Sequence, residues 1–200
     1  MKILPVIGNN NVYTSNVYLA LGDWKRIEDI NTLVDVGNDP SIIDVIETMN
    51  TGIGKKKVDQ VILTHSHSDH TGILPLIKAF FSPVVYAFSP FLEGVDVILK
   101  DGDILRMGDS DVEIIHTPGH SSDSICLYCR NSGDLFAGDT PVIVRSADGG
   151  YERAFFEAMK SLCTRDIRTI YFGHGDPATQ NVPYLLQQSL RNIRESMENK

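Results

Sequence analysis

Cysteine is scarce in this chain, with three residues in 200. So small and odd a number excludes a disulfide framework as the main source of stability. Tryptophan occurs once, and no apolar run approaches the roughly 20 residues that a membrane-spanning helix needs. The start, Met1-Lys2-Ile3-Leu4-Pro5, is broken by proline and runs into Asn9-Asn10-Asn11. It therefore lacks the apolar segment and small-residue cleavage site of a secretory signal. Basic residues are in the minority, 18 Lys+Arg against 26 Asp+Glu, for a formal net charge of −8. That balance disfavours a nucleic-acid or anionic-membrane partner. The expectation is a cytoplasmic protein acting on a small molecule, with homo-oligomerisation left open.

What is present is ordinary for a globular protein: 42% hydrophobic and 22% charged residues. There is no internal repeat and no low-complexity linker, so residues 1–200 read as one α/β domain. Strand signals open the chain at Lys2–Ile7 and Asn11–Leu21, followed by Thr32–Val36. Pro40 suits a first helical turn, and Ile42, Ile43, Val45 and Ile46 suit a half-buried helix. Val58–Leu63 is a short apolar strand, and Thr71–Phe81 carries helical spacing with Pro75 in its first turn. Short strands follow at Val84–Phe88, Ile104–Met107, Val112–Ile115, Ser124–Cys129 and Leu135–Ala137. The pattern ends with a helix at Glu152–Cys163, a strand at Thr169–Phe172 and a last helix from about Tyr184.

Three of the six histidines fall within six residues, His65-Ser66-His67-Ser68-Asp69-His70, directly after a strand signal. In an extended segment His65 and His67 point to one side and can share a cation. Asp69 and His70 lie past the turn and can address a second one. Two imidazoles do not complete a tetrahedral site, so further donors must come from elsewhere. His120 in Thr117-Pro118-Gly119-His120, Asp139 in Ala137-Gly138-Asp139-Thr140 and His174 in Phe172-Gly173-His174-Gly175 each follow a short strand at a Gly-flanked turn. Glycine there lets backbones approach closely.

Together with Asp35, this set resembles the ordered motifs of the metallo-β-lactamase superfamily, over about residues 15–175. The resemblance implies a four-layer αβ/βα sandwich with a dinuclear centre at one edge of its two sheets. It also implies that His65, His67 and His120 hold one metal, and that Asp69, His70 and His174 hold the other. Asp139 would bridge the two, and Asp35 would orient the site through hydrogen bonds. Two Zn2+ ions per chain are the expectation, although iron or manganese suits the same donors. The implied chemistry is attack of a metal-activated hydroxide on a carbonyl carbon, with water or Asp69 as the catalytic proton carrier.

Departures from the family pattern narrow the substrate. Zinc β-lactamases with this histidine motif carry cysteine where this chain has Asp139, and the diiron flavoproteins carry glutamate where it has His67. The nearest likeness is to glyoxalase II-like hydrolases, which cleave thioesters. Only 26 residues follow His174, too few for the helical domain that binds glutathione in typical members. A small thioester, ester or lactone is therefore expected. The alternative is an iron-dependent oxidoreductase like the persulfide dioxygenases, which bind one iron through two histidines and an aspartate.

Several residues carry blander readings. For Asp35 the blander reading is a turn-capping aspartate. His116 lies within a strand signal and reads as a packed or surface histidine. Cys126 and Cys129, three apart on a strand, face opposite ways and read as core thiols. Lys55-Lys56-Lys57 reads as a solvated turn rather than a phosphate cradle. Tyr151 and Phe155, between two ligand motifs, are candidates for substrate contact.

Overall fold

The computed structural model describes residues 1–9 and 11–198. Six strands form the first sheet: β1 (Lys2–Val6), β2 (Val17–Leu21), β3 (Thr32–Val34), β4 (Gln60–Ile62), β5 (Val84–Ala87) and β6 (Val97–Ile98), paired in that order. The second sheet has the order β11-β10-β9-β8-β7, built from β7 (Ile104–Met107), β8 (Ser110–His116), β9 (Ile125–Cys129), β10 (Asp134–Gly138) and β11 (Thr169–Phe172). Helices α1 (Ile42–Thr48), α2 (Ser68–Thr71) and α3 (Leu74–Phe81) follow strands of the first sheet, while α4 (Arg153–Leu162) and α5 (Val182–Glu198) flank β11.

Alternation along the strands sorts the apolar residues into three buried clusters, which define four layers. Val17, Leu19 and Leu21 of β2 pack with Ile42 and Ile46 of α1 and Ile77 and Phe81 of α3. Their neighbours Tyr18 and Ala20 turn the other way, onto Ile114, Ile125, Leu127 and Phe136 of the second sheet. On the far face, Cys126, Leu135 and Ala137 pack with Phe155 and Met159 of α4 and Leu186 and Ile193 of α5. A strand buried on both faces has no polar side to show, which is why β2, β9 and β10 read as continuous apolar runs. The result is the αβ/βα sandwich. Among the described residues no helix is long and apolar enough to cross a membrane.

The two strand cysteines follow the same alternation. Cys126 joins the helix-side cluster and Cys129 the inter-sheet cluster, both buried and unbridged. Burial pushes the Cys126 thiol up to about 11, so it is inert rather than nucleophilic.

Three local readings differ from the sequence expectation. The strand expected over residues 11–21 begins only at Val17. The polar residues before it bond to other elements instead: Asn38 N–H donates to Thr14 Oγ1, Ser15 N–H to the Asp69 carbonyl and Asn16 N–H to the Gly173 carbonyl. The helix expected from Thr71 to Phe81 is two helices, broken at Gly72-Ile73. Pro75 has no N–H to continue a ladder, and the Ile73 N–H is taken by the Gly37 carbonyl. The two-residue edge strand β6 was too short to leave a periodic signal. The lysine run is also more engaged than a solvated turn. Lys57 Nζ donates to the Glu47 and Met49 carbonyls at the end of α1, and Lys55 Nζ to those of Arg26 and Asp29.

Candidate metal centre

Strand direction brings the motifs together. β3 and β4 are parallel, and in the other sheet β8, β10 and β11 run one way because β9 is antiparallel to both β8 and β10. Asp35, the 65–70 motif, His120, Asp139 and His174 therefore all leave strand C-termini. The two sheets are tied at this edge by the Ile125 N–H donating to the Thr64 carbonyl, 2.9 Å. In β10 the pairing with β11 shifts between Phe136 and Gly138, where Gly138 takes φ +51°. A side chain at Gly138 would meet Thr64 Oγ1 at 2.5 Å, so glycine is what lets the two rims close.

The seven donor side chains fall into two sets. His65, His67 and His120 form one, and Asp69, His70, Asp139 and His174 the other, each with its donor atoms within 4.8 Å of one another. Asp139 lies between them. Its Oδ1 is 3.3 Å from His70 Nε2, and its Oδ2 is 3.5 Å from His120 Nε2 and 3.6 Å from His174 Nε2. His67 Nδ1 and His120 Nε2 are 2.9 Å apart, and Asp69 Oδ2 is 3.0 Å from His174 Nε2.

Asp35 organises the buried half. It sits in the left-handed region, φ +57°, a conformation that aspartate tolerates. Its Oδ1 accepts from the Thr64 N–H at 2.8 Å, and its Oδ2 accepts from Thr64 Oγ1 and from His70 Nδ1, both at 2.8 Å. With its proton committed to Asp35, Thr64 Oγ1 can only accept from His65 Nδ1, 3.2 Å away. This chain of bonds assigns the Nδ1–H tautomer to His65 and aims its Nε2 lone pair at the centre.

The buried polar atoms His65 Nε2, His70 Nε2 and Asp139 Oδ1 make no well-formed hydrogen bond, the last two facing each other only as an ion pair at 3.3 Å. Such atoms are costly unless something completes them. One of these atoms belongs to the first donor set and two to the second, and atoms of imidazole and carboxylate type so placed fit a divalent metal cofactor.

The electrostatics of the site agree. Burial, reinforced by His70, holds the His65 imidazole down at about 4, so it is a neutral lone-pair donor at pH 7. Burial also disfavours the charged form of His70, but the facing carboxylates of Asp35 and Asp139 overcome this and raise it to about 10. Burial likewise opposes ionisation of Asp139, yet His70 draws its carboxyl down to about 2. A cation entering here meets an ionised carboxylate and competes with a proton at His70.

Sequence reasoning missed three residues. Thr64, adjacent to the motif, links Asp35 to His65. Asn16 fixes the His174 loop by donating Nδ2 to the Phe172 and Gly175 carbonyls, at 3.0 and 2.8 Å. Tyr13 stacks on the His174 ring, centroids 5.2 Å apart, with its hydroxyl 3.5 Å from Nε2. Only their nearness to strand β2 and to the motif hinted at them. His116 stands apart, stacked on Phe88 at 4.1 Å and donating Nε2–H to the Ser122 carbonyl.

Two clefts open from the centre, both lined by His120, Asp139 and Pro141. One, of ≈ 290 Å³, has Val142, Ile143 and Phe172 in its wall, and the other, of ≈ 260 Å³, is lined by Tyr151, Glu152 and Phe155. Phe155 is otherwise core, its ring packed against Gly119.

The comparison with known families then gives one match. The chain belongs to the metallo-β-lactamase superfamily, whose family model matches residues 11–174. It is 36% identical over 148 residues to a probable hydroxyacylglutathione hydrolase of Schizosaccharomyces pombe, a match taking in 70% of this chain and 54% of that protein. An atrochrysone carboxyl ACP thioesterase of Cryptosporiopsis sp. is 24% identical over 182 residues, 87% of this chain and 54% of the relative. This chain thus spans about half the length of these curated relatives. The crystal structure of ETHE1 from Myxococcus xanthus shares the fold, with TM-score 0.71 and 20% identity over 100% of this chain and 91% of that one.

Proposed function

We propose that this protein is a metal-dependent hydrolase that cleaves a small acyl substrate, a thioester, ester or lactone, at a dinuclear zinc centre. The observation that carries the reading is the pair of converging donor sets with three buried, unsatisfied donor atoms. His65, His67 and His120 would hold one ion, Asp69, His70 and His174 the other, with Asp139 shared. Bound there, zinc supplies Lewis-acid activation of water and of the substrate carbonyl at neutral pH. The protein's part is to fix the donors and to move protons. Asp35 and Thr64 hold His70 and His65 in the tautomers that expose Nε2. Asp69 is the candidate catalytic residue, because its Oδ2 faces the centre, 3.0 Å from His174 and 3.9 Å from His70, and can carry a proton to a leaving group. The hydrolase and thioesterase names of the relatives support acyl transfer to water. Two full donor sets favour this reading over a single-iron oxygenase.

Elemental analysis of protein purified without chelator or oxygen tests it. Close to two zinc ions per chain, with hydrolysis of simple thioesters, is the expected result. About one iron per chain and oxygen consumption with a persulfide would overturn it.

Gly173→Ala offers a finer test of the Asp139 assignment. A Cβ at Gly173 would lie 2.2 Å from Asp139 Oδ1 and 2.6 Å from His70 Cε1, so both side chains must shift. Bound metal should fall from two ions per chain to one or fewer, with far-UV circular dichroism near wild type. Unchanged metal content would remove Asp139 from the centre.

A further inference from the structure

Tyr13 is an exposed residue in a fastened stretch of chain. Before it, the Asn9 N–H donates to Ser41 Oγ at 2.7 Å; after it, Thr14, Ser15 and Asn16 bond to Asn38, Asp69 and Gly173. The side chain nevertheless stays 75% exposed, with one ring face on His174 and its hydroxyl 3.5 Å from His174 Nε2. That distance, reached from a stacked ring, is too long to commit the phenol proton. Among the described residues the hydroxyl has no other hydrogen-bond partner. Asp69 Oδ2 approaches the same nitrogen at 3.0 Å, so a carboxylate and a phenol flank one edge of the second donor set. An ionised carboxylate only accepts a hydrogen bond, whereas the phenol O–H donates. The clefts that open from the centre offer little else of that kind. No Lys or Arg lines either one, Thr140 Oγ1 is shared with Thr117 at 2.9 Å, and the Tyr151 hydroxyl lies where a Cβ on Gly149 would be 2.6 Å from it. An oxygen that gains negative charge at this mouth finds an uncommitted neutral donor in Tyr13.

We propose that Tyr13 is a catalytic residue whose phenol donates a hydrogen bond to the acyl carbonyl oxygen of the substrate. The inference rests on the acyl-hydrolase reading. As water adds to the acyl carbon, the carbonyl π pair moves onto that oxygen, and it returns as the carbon–sulfur or carbon–oxygen bond breaks. The leaving thiol or alcohol departs with a proton of the water. Tyr13 keeps its own proton throughout. Its bond strengthens as the oxygen becomes charged, which lowers the barrier rather than merely holding the substrate.

Tyr13→Phe keeps the stack on His174 and deletes only the hydroxyl. Calorimetric titration of the zinc-loaded protein reads the lost bond without turnover. The probes are methyl butylphosphonate, whose tetrahedral oxygens carry negative charge, and N-acetyl-S-butylcysteamine, which has no oxygen at the reacting carbon. Tyr13→Phe should bind the phosphonate about tenfold more weakly and the thioether within about twofold of the wild type. Zinc content should equal that of the wild type. With S-butyryl-N-acetylcysteamine as substrate, kcat should fall about 10–100-fold while KM stays within about twofold. A tyrosine that only packs on His174 predicts a different result, with Tyr13→Phe matching the wild type in every reading, and that result would overturn the proposal. Loss of zinc from Tyr13→Phe would overturn it as well, by making the hydroxyl a support of the metal. The two readings fail separately. Thioester hydrolysis that Tyr13→Phe leaves unchanged counts against Tyr13 and leaves the hydrolase standing. Weaker phosphonate binding by the variant, with no thioester, ester or lactone cleaved by the wild type, counts against the hydrolase and leaves the Tyr13 contact standing.

Discussion

Replacing Asp139 with alanine should reduce bound metal from two ions per chain to well below one and remove hydrolysis. The variant should unfold at a temperature close to that of the wild type. Asp139 is the only described carboxylate that approaches imidazoles of both donor sets, His120 on one side and His70 and His174 on the other. Removing a residue that merely orients a ligand costs about 10–100-fold in metal affinity. Losing a donor common to both ions should therefore cost more than about 100-fold. The fold should survive because Asp139 follows β10 and lies outside the three apolar clusters. Elemental analysis and thermal melting of the apo form check both halves. Two ions retained per chain would show that Asp139 does not bind metal.

Asp35→Ala should act on stability as well as on metal. The side chain is buried and serves three groups: the Thr64 amide, the Thr64 hydroxyl and His70 Nδ1. Deleting it strands at least two buried donors, and breaking such a buried polar network costs about 3–5 kcal/mol. For a chain of this size that is a fall of roughly 6–20 °C in Tm. Alanine also disfavours the left-handed backbone at φ +57°. Asp35→Asn tolerates that backbone and retains one acceptor, so it should recover much of the stability. Its metal affinity should still be about 10–100-fold weaker, because His70 is no longer held by a carboxylate. Melting curves and zinc competition with a chelator separate the two effects. An Asp35→Ala variant as stable as the wild type would make Asp35 a simple turn residue.

Much of this was legible from the residues because burial and chemistry leave different marks. Period-two alternation set the faces of β2 and β9, including the opposite placement of Cys126 and Cys129. The Gly-flanked strand ends located His120, Asp139 and His174, since glycine is required where Gly138 meets Thr64 and Gly119 meets Phe155. Less legible was anything held by long-range polar bonds. Residues 11–16 have strand-like composition, yet Thr14, Ser15 and Asn16 spend their hydrogen bonds on Asn38, Asp69 and Gly173. The break at Gly72-Ile73 depends on the Gly37 carbonyl, which no local pattern announces. Tyr13 and Asn16 escaped notice for the same reason, because their partners lie at the far end of the chain.

That Asn16 bonds to residues 156 and 159 positions away has a bearing on how the protein assembles. A loop of that length closes late, after the entropy of ordering most of the intervening chain has been met. The His174 loop is therefore set only when residue 16 meets residues 172–175, and the four-donor pocket is complete no earlier than that long-range contact. On the ribosome, a chain that has not yet released residues 172–175 has nothing to fasten Asn16 against. If a second ion binds there as proposed, its capture would be a late event in maturation, marking chains that have finished folding.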